Sequence, residues 1–178
     1  MSDIVFDAPP RSGNNIEDLA DAIRKVFGLD RQDMFPVVMF VEKGLQHIVE
    51  GVVFDVRDRF EMGAKMGAVD PLNRALFIRE DVYDGAVAGN GRDRFTMVHE
   101  VGHAVMHIGT LNRTPSTFVG KIPAYRDPEW QANRFAAALL MPRHLVRTCR
   151  TIAEIVVRFG VSREAAELRD RTLKLAIK

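Results

Sequence analysis

The segment His99-Glu100-Val101-Gly102-His103 constrains this 178-residue chain more than any other feature of its sequence. Its two histidines are four residues apart, and a helix of about 3.6 residues per turn places both imidazoles on one face. Both rings can then bind one metal ion, with Glu100 beside the first of them. Zinc lowers the pKa of a bound water to about 7, so a neighbouring carboxylate can accept its proton as the water attacks a carbonyl. The pattern predicts a hydrolytic zinc centre with Glu100 as the general base.

Short motifs of this kind also arise by chance, and the alternative is a buried helix whose two histidines are hydrogen-bonded core residues. The surrounding sequence favours the metal site, because burying two histidines, a glutamate and a glycine in an apolar helix needs a compensating interaction. The apolar neighbours are Phe95, Val98, Val101, Val105, Met106 and Ile108.

A third protein ligand is required, and the residues after His103 exclude two arrangements. The metzincin pattern has a glycine three residues and a histidine six residues after the second histidine, but this chain has Met106 and Gly109 there. His107 lies eight residues after His99, which is about 12 Å along a straight helix. Metal–nitrogen bonds are only about 2 Å long, so three stacked histidines cannot share one ion. His107 is therefore expected to support the ligands or to be a core residue.

Glu129 is the remaining candidate for the third ligand, at the start of a predicted helix that runs to Leu140. Asn133 lies four residues later on the same face, where its side chain could accept the outer N–H of a ligating histidine. An acidic residue in the first turn is also favoured by the helix dipole without any metal. The residues alone leave both interpretations of Glu129 open.

The hydrophobic periodicity predicts an α+β arrangement, with helices and a small sheet before the motif helix and further helices after it. Predicted helices cover about residues 16–27, 33–43, 81–88, 92–108 and 129–140, with two more around residues 159–162. Predicted strands cover residues 52–56, 67–69 and 75–78, with a turn at 70–73. Residues 1–14 are predicted to be a loose lead and residues 109–127 a loop. We expect one domain at 1–148 and a helical extension at 149–178, which could pack on the same domain.

The last thirty residues resemble a helix-turn-helix, because Gly160 can form the turn and Ser162 can cap the second helix. DNA binding by that second helix is one interpretation. Its acidic side chains would repel phosphates, however, and its basic side chains only balance them, so we expect the pair to pack on the preceding domain or to dock a protein substrate. The acidic residues are Glu164, Glu167 and Asp170, and the basic ones are Arg163, Arg169 and Arg171.

The cysteine content and the apolar segments indicate the cellular compartment of the protein. Its single cysteine, Cys149, excludes an intrachain disulfide and removes any need for an oxidising compartment. The acidic start lacks the pattern of a secretory signal, and the longest apolar runs are far shorter than the roughly 20 residues of a membrane-spanning helix. We expect a cytoplasmic protein with no membrane association, and the sequence leaves its oligomeric state open.

Three blocks of the sequence resemble the ImmA/IrrE metallopeptidases. They are the His-Glu-x-x-His block at 94–107, the Glu-Trp-Gln-Ala-Asn block at 129–142 and the Arg-Phe-Gly-Val-Ser block at 158–162; the first two are specific as a pair. The resemblance implies a minimal gluzincin-like zincin domain with one zinc ion per chain, or manganese in its place. It implies His99, His103 and Glu129 as metal ligands and Glu100 as the base. It also implies a regulatory endopeptidase that cleaves a phage-type helix-turn-helix repressor and so derepresses stress or mobile-element genes.

In zincins an extended peptide lies along the edge strand beside the motif helix, where main-chain hydrogen bonds hold it. The strand Ala75-Leu76-Phe77-Ile78 comes just before the motif helix, and we expect it to be that edge; the alternative is an ordinary buried strand. A group that stabilises the oxyanion is also expected. The competing functional interpretation is a metal-containing regulator that binds a repressor or DNA without proteolysis. Candidates for the oxyanion group are Tyr83, Tyr125, Arg126 and His144.

Overall fold

The computed structural model describes residues 5–110, 112–114 and 122–177, and it confirms the predicted α+β class. Within these ranges no helix combines the length and apolar character needed to cross a membrane. The helices are α1 (Gly13–Val26), α2 (Val37–Met39), α3 (Arg59–Met62), α4 (Glu80–Val87), α5 (Gly91–His107), α6 (Pro128–Leu140), α7 (Arg143–Val146), α8 (Ile152–Phe159) and α9 (Arg163–Leu173). The strands are β1 (Val5–Asp7), β2 (Val53–Arg57), β3 (Gly67–Asp70), β4 (Ala75–Arg79) and β5 (Asn112–Thr114).

The three predicted strands form one sheet, but their order corrects the prediction for the edge strand. The order is β2-β4-β3, with β2 parallel and β3 antiparallel to β4. The segment Ala75-Leu76-Phe77-Ile78 is therefore the central strand and not the edge that we expected for a substrate. Its nearly continuous burial agrees with this position, because a central strand is covered on both faces and hydrogen-bonded on both sides. The strand at the edge nearer to the motif helix is β3.

A second, two-stranded sheet corrects the predictions of a loose lead and an unstructured loop. β1 pairs antiparallel with β5, in the register Val5 to Thr114. Farther along the lead, the Ala8 N–H donates to the carbonyl of Arg126 and the Arg11 N–H to that of Tyr125, both at 2.9 Å. The lead therefore follows the segment that precedes α6. Residues 111 and 115–121 of the predicted loop lie outside the described residues.

Local capping explains where the first two helices begin. α1 begins at Gly13, earlier than predicted, because Ser12 and Asn15 form a capping box in which each side chain accepts the other's backbone N–H. The helix predicted at 33–43 begins only at Val37, because Pro36 disfavours helical backbone at the residue before it. It then continues through a π-helical turn, Phe40–Gly44, and a 3-10 turn that ends at His47.

The two longest helices after the sheet, α5 and α6, pack directly against each other. Asn90 caps α5 by accepting from the backbone N–H groups of Arg92 and Asp93, and Asp127 caps α6 in the same way from Glu129. Gly102 lies at their contact, where an added Cβ would be 3.1 Å from Phe135 and 3.2 Å from the Cα of Ala132. The missing side chain lets the helices approach closely, so residues of both can reach a common point.

The predicted pair of C-terminal helices is present, and its apolar side belongs to the same core as the motif helix. Ile155, Phe159 and Ala166 are fully buried in that core. Arg169 of α9 is also fully buried and bonds the carboxylate of Glu17 on α1, with nitrogen–oxygen distances of 2.5 and 2.8 Å. These contacts hold α8 and α9 against the helices that precede them. The division at residue 148 and the likeness to a helix-turn-helix remain predictions.

Candidate metal centre

Three side chains converge at the contact of α5 and α6. The Nε2 atoms of His99 and His103 are 3.0 Å apart, as expected for residues one helical turn apart on the same face. Glu129, in the first turn of α6, places its two carboxylate oxygens 3.2 Å from His99 Nε2 and 3.3 Å from His103 Nε2. All three ligand atoms lie within 4.8 Å of one another, and α6 thus brings Glu129 to the face of α5 that carries both histidines.

This donor set fits a zinc ion. Zinc bonds of about 2.0–2.2 Å in tetrahedral geometry separate neighbouring donor atoms by about 3.3–3.6 Å. The separations between His99, His103 and Glu129 range from 3.0 to 3.3 Å, close to that spacing. Two imidazoles and one carboxylate also leave a fourth position open, which is the arrangement of catalytic and not of structural zinc sites.

The hydrogen bond of His99 to Asn133 sets which ring nitrogen faces the centre. His99 Nδ1 is 3.0 Å from Asn133 Oδ1, and an amide oxygen only accepts, so Nδ1 carries the hydrogen. In the neutral ring Nε2 is then unprotonated, with its lone pair directed towards His103 and Glu129. The structure thus brings together four residues that the sequence named as candidates on two helices: His99, His103, Glu129 and Asn133.

His107 lies beside His103 and not among the three converging donors. Its Nδ1 is 3.0 Å from His103 Nδ1, and its Nε2 is 3.0 Å from Oε1 of Gln131. The ring is 1% exposed, and this burial lowers its pKa to about 4, so it is neutral near pH 7. A supporting or core position was expected for His107. Gln131 was not predicted, because one of its other partners, the carbonyl of Pro9, is far away in the chain.

The two glutamates of the centre have opposite electrostatic surroundings. Burial raises the pKa of Glu100 above its ordinary value, although the neighbouring His99 and His103 partly oppose this. In the metal-free centre, the hydrogen bonds that His103 and His99 donate when their Nε2 atoms are protonated hold the pKa of Glu129 far below its ordinary value. Glu129 is therefore ionised and suited to binding a cation. Glu100 is the more basic of the two and is suited to accepting a proton.

A cleft of about 450 Å³ opens in front of these residues. The strand β3 forms its wall opposite α5, and Gly67 comes so close that an added Cβ would be 2.5 Å from Cγ of Glu100. Lys65 adds a positive charge to the same wall. Neither residue was predicted from the sequence, although glycine within a strand is a known sign of close backbone approach. The lining consists of Lys65, Gly67, Ala68, Val69, Pro71, His99, Glu100, His103, His107, Pro128 and Glu129.

The four candidates for an oxyanion-stabilising group fall into two pairs. The Tyr83 hydroxyl donates to Glu42 in a separate hollow beside β2, and His144 Nε2 lies 2.8 Å from the carbonyl oxygen of Asp30. Both of these candidates therefore have other partners away from the cleft. Tyr125 and Arg126 lie in the 3-10 turn Ala124–Arg126, directly before α6 and its Glu129.

The fold and the site together define a class of protein. A helix with the His-Glu-x-x-His pattern, a glutamate from the next long helix as third donor and a cleft bounded by an edge strand are the parts of a small zincin-like metallopeptidase domain. The comparison with known families agrees: the model of the IrrE N-terminal-like domain, a peptidase family, matches residues 59–169, more than half of the chain. The chain belongs to this ImmA/IrrE family of metallopeptidases. The comparison with curated proteins finds no match.

Proposed function

We propose that this protein is a zinc-dependent endopeptidase in which His99, His103 and Glu129 hold the ion and Glu100 is the general base. The observation that carries the proposal is the convergence of the three donor atoms within 4.8 Å, with Glu100 adjacent on the same helix. The family assignment supports a peptidase activity independently of this geometry. Manganese could occupy the same donors, because imidazole and carboxylate also bind that ion.

Each residue of the centre has a separate role in the proposed peptide hydrolysis. A zinc ion on the three donors would lower the pKa of a water to about 7 and polarise the scissile carbonyl. Glu100 would accept the proton of the attacking water at its carboxylate and later deliver it to the leaving nitrogen. Its raised pKa supports this role, because a more basic carboxylate takes the proton more readily. Asn133 would hold the His99 ring in its ligand orientation.

The substrate is proposed to lie along β3. This strand pairs with β4 on one side only, and Gly67, Ala68 and Val69 line the cleft. An extended peptide can add to such an edge through main-chain hydrogen bonds, which places its carbonyls near the centre. The resemblance to the ImmA/IrrE proteins suggests a helix-turn-helix repressor of the phage type as the substrate, and a repressor encoded beside this protein's gene is the first to test.

The test combines metal analysis with cleavage of that repressor by the wild type and by Glu100→Gln. We expect one zinc per chain in both proteins. Cleavage should fall by about 10²- to 10⁴-fold in the variant, the usual contribution of a general base. Glu164→Gln, an exposed change on α9, is the matched control and should cleave normally.

Two outcomes would contradict the proposal. A Glu100→Gln variant that still cleaves at the wild-type rate would remove Glu100 as the base. A variant that does not cleave but fully relieves repression in cells would favour the competing interpretation, a metal-containing regulator that acts by binding. DNA binding by α9 has less support, because the exposed Arg163 of this helix already pairs with Glu167 at 2.9 Å.

A further inference from the structure

A row of hydrogen bonds leads from two backbone carbonyls to the metal ligand His103. It passes through the side chains of Gln131 and His107, neither of which is one of the three proposed metal ligands. Gln131 donates from Nε2 to the carbonyl oxygens of Pro9 at 2.9 Å and Tyr125 at 2.8 Å. Its Oε1 lies 3.0 Å from His107 Nε2, and His107 Nδ1 lies 3.0 Å from His103 Nδ1. Gln131 is fully buried and His107 is 1% exposed, so water does not compete for these bonds.

The direction of every bond in this row follows from the two carbonyls at its start. The oxygens of Pro9 and Tyr125 can only accept, so both must face the NH₂ group of Gln131. This fixes the amide orientation and turns Oε1 towards His107. An amide oxygen also only accepts, so the hydrogen of the His107 ring is on Nε2.

The hydrogen on His107 Nε2 also determines the tautomer of the metal ligand His103. A neutral imidazole carries one N–H, so Nδ1 of His107 is an acceptor. His103 Nδ1 must then donate to it, which leaves His103 Nε2 unprotonated and facing His99 and Glu129. In the other tautomer His103 would direct a hydrogen at the position of the ion. Two unprotonated Nδ1 atoms would then face each other at 3.0 Å with no cation position between them, whereas the two unprotonated Nε2 atoms of His99 and His103 both face the position of the ion.

We propose that Gln131 and His107 are positioning residues that hold His103 in the tautomer that binds the metal. They also connect the centre to the lead of the chain, because Pro9 supplies one of the two carbonyls that orient Gln131. The other ligand histidine reaches the same state through Asn133 alone. The inference rests on the proposed metal site, and it adds that the tautomer is set in the folded protein before any metal binds.

The first experiment measures the tautomer itself in the metal-free wild type, by the ¹⁵N and ¹³C shifts of the histidine rings. We expect hydrogen on Nδ1 of His99 and His103 and on Nε2 of His107. A neutral His103 ring with its hydrogen on Nε2 and none on Nδ1 in the folded, metal-free protein would overturn the inference. This measurement needs no variant, so it decides the question even if a substitution in the row prevents folding.

The second experiment measures zinc affinity by competition with a chromogenic chelator. Gln131→Met keeps the length of the side chain but removes its amide donor and acceptor. His107→Phe removes the hydrogen bond to His103. Each should weaken zinc binding by about 10- to 100-fold, the usual effect of losing a group that orients a ligand. His107→Gln keeps an acceptor and a donor and should recover part of the loss. Gln46→Met, the same change at an exposed position, is the control.

The outcomes separate this inference from the proposed function. A wild-type protein that binds no zinc would contradict the metal site itself. A wild type that binds one zinc ion, together with Gln131→Met and His107→Phe variants of unchanged affinity, would leave the site intact and reject the positioning role. Circular dichroism of the metal-free variants establishes that each has folded before its affinity is compared.

Discussion

Gly67 of β3 lies against the side chain of Glu100, at a distance that leaves no room for a methyl group. An added Cβ would be 2.5 Å from Cγ of Glu100, 2.9 Å from Cδ and 3.0 Å from Oε1. Carbon atoms in contact are normally about 3.5–4.0 Å apart, so one of the two groups would have to move. Because the end of a glutamate side chain is the more mobile of the two, the backbone of β3 defines the place of the proposed base.

Replacing Gly67 with alanine should therefore impair catalysis more than metal binding. We expect the catalytic rate to fall by about 10- to 100-fold, since a displacement of about 1 Å can reduce a rate by that amount. Zinc affinity should stay within about threefold of the wild type, because the three atoms nearest to an added Cβ all belong to Glu100 and not to the three donor residues. Steady-state cleavage and chelator competition measure the two quantities on the same protein preparations.

The double variant Gly67→Ala/Glu100→Gln is the control for this mechanism. If Gly67 acts through Glu100, the double variant should be no slower than Glu100→Gln alone, because the two changes then affect one interaction. Losses that multiply would show that alanine at 67 disturbs the cleft in another way.

The buried ion pair between Glu17 and Arg169 should make α9 essential to the stability of the whole domain. Arg169→Met leaves the Glu17 carboxylate, only 3% exposed, without its main partner, and loss of one member of a buried pair costs about 3–5 kcal/mol. Urea unfolding followed by circular dichroism measures this change in the free energy of unfolding. Arg163→Met is the matched control on the same helix: its pair with Glu167 is exposed, so its loss should cost about 0–1 kcal/mol.

The double variant Glu17→Gln/Arg169→Met tests the reason for that loss. Removing the carboxylate charge as well should recover part of the stability, because the unpaired buried charge causes most of the cost. Equal losses for Arg169→Met and Arg163→Met would mean that the buried pair contributes no more to stability than the exposed one.

Removal of zinc should lower the melting temperature of the wild type. The size of this decrease in each variant should distinguish a metal ligand from the general base. An ion that binds only the folded state at 100 times its Kd stabilises it by about 2.7 kcal/mol. Glu100→Gln should keep this gain, because Glu100 is not among the three donors that converge within 4.8 Å. Glu129→Ala should lose most of it. Scanning calorimetry with zinc and with a chelator measures both, and a Glu100→Gln protein that gains nothing from zinc would contradict the assignment.

Local signals explain why the helices of the site could be predicted from the sequence. The four-residue spacing of His99 and His103 requires a helix if both are to reach one ion, and Pro128 with Glu129 marks the start of the next. Gly160, with φ of 59°, ends α8 in the left-handed conformation that glycine adopts without strain. Each of these features depends only on residues that are neighbours in the chain.

The order of the strands could not be predicted, because it depends on pairing between distant segments. The apolar run of β4 is compatible with a central or an edge position until its partners are known, and its nearness in sequence to α5 misled the prediction. β1 and β5 are three residues each and more than one hundred residues apart, too short to show a periodicity. The contact of Gln131 with the carbonyl of Pro9 could not be predicted for the same reason.

The corrected strand order makes a prediction about where a substrate binds. An uncleaved peptide added to zinc-loaded Glu100→Gln should slow hydrogen exchange at the free edge of β3, because its main chain would accept hydrogen bonds from amides that otherwise face water. The amides of β4 are hydrogen-bonded to β2 and β3 already and should change little. β2 is the matched control, since it is the other edge of the same sheet and lies away from the cleft. Exchange measured by mass spectrometry resolves the three strands, and protection at Val53–Arg57 in place of Gly67–Asp70 would contradict binding along β3.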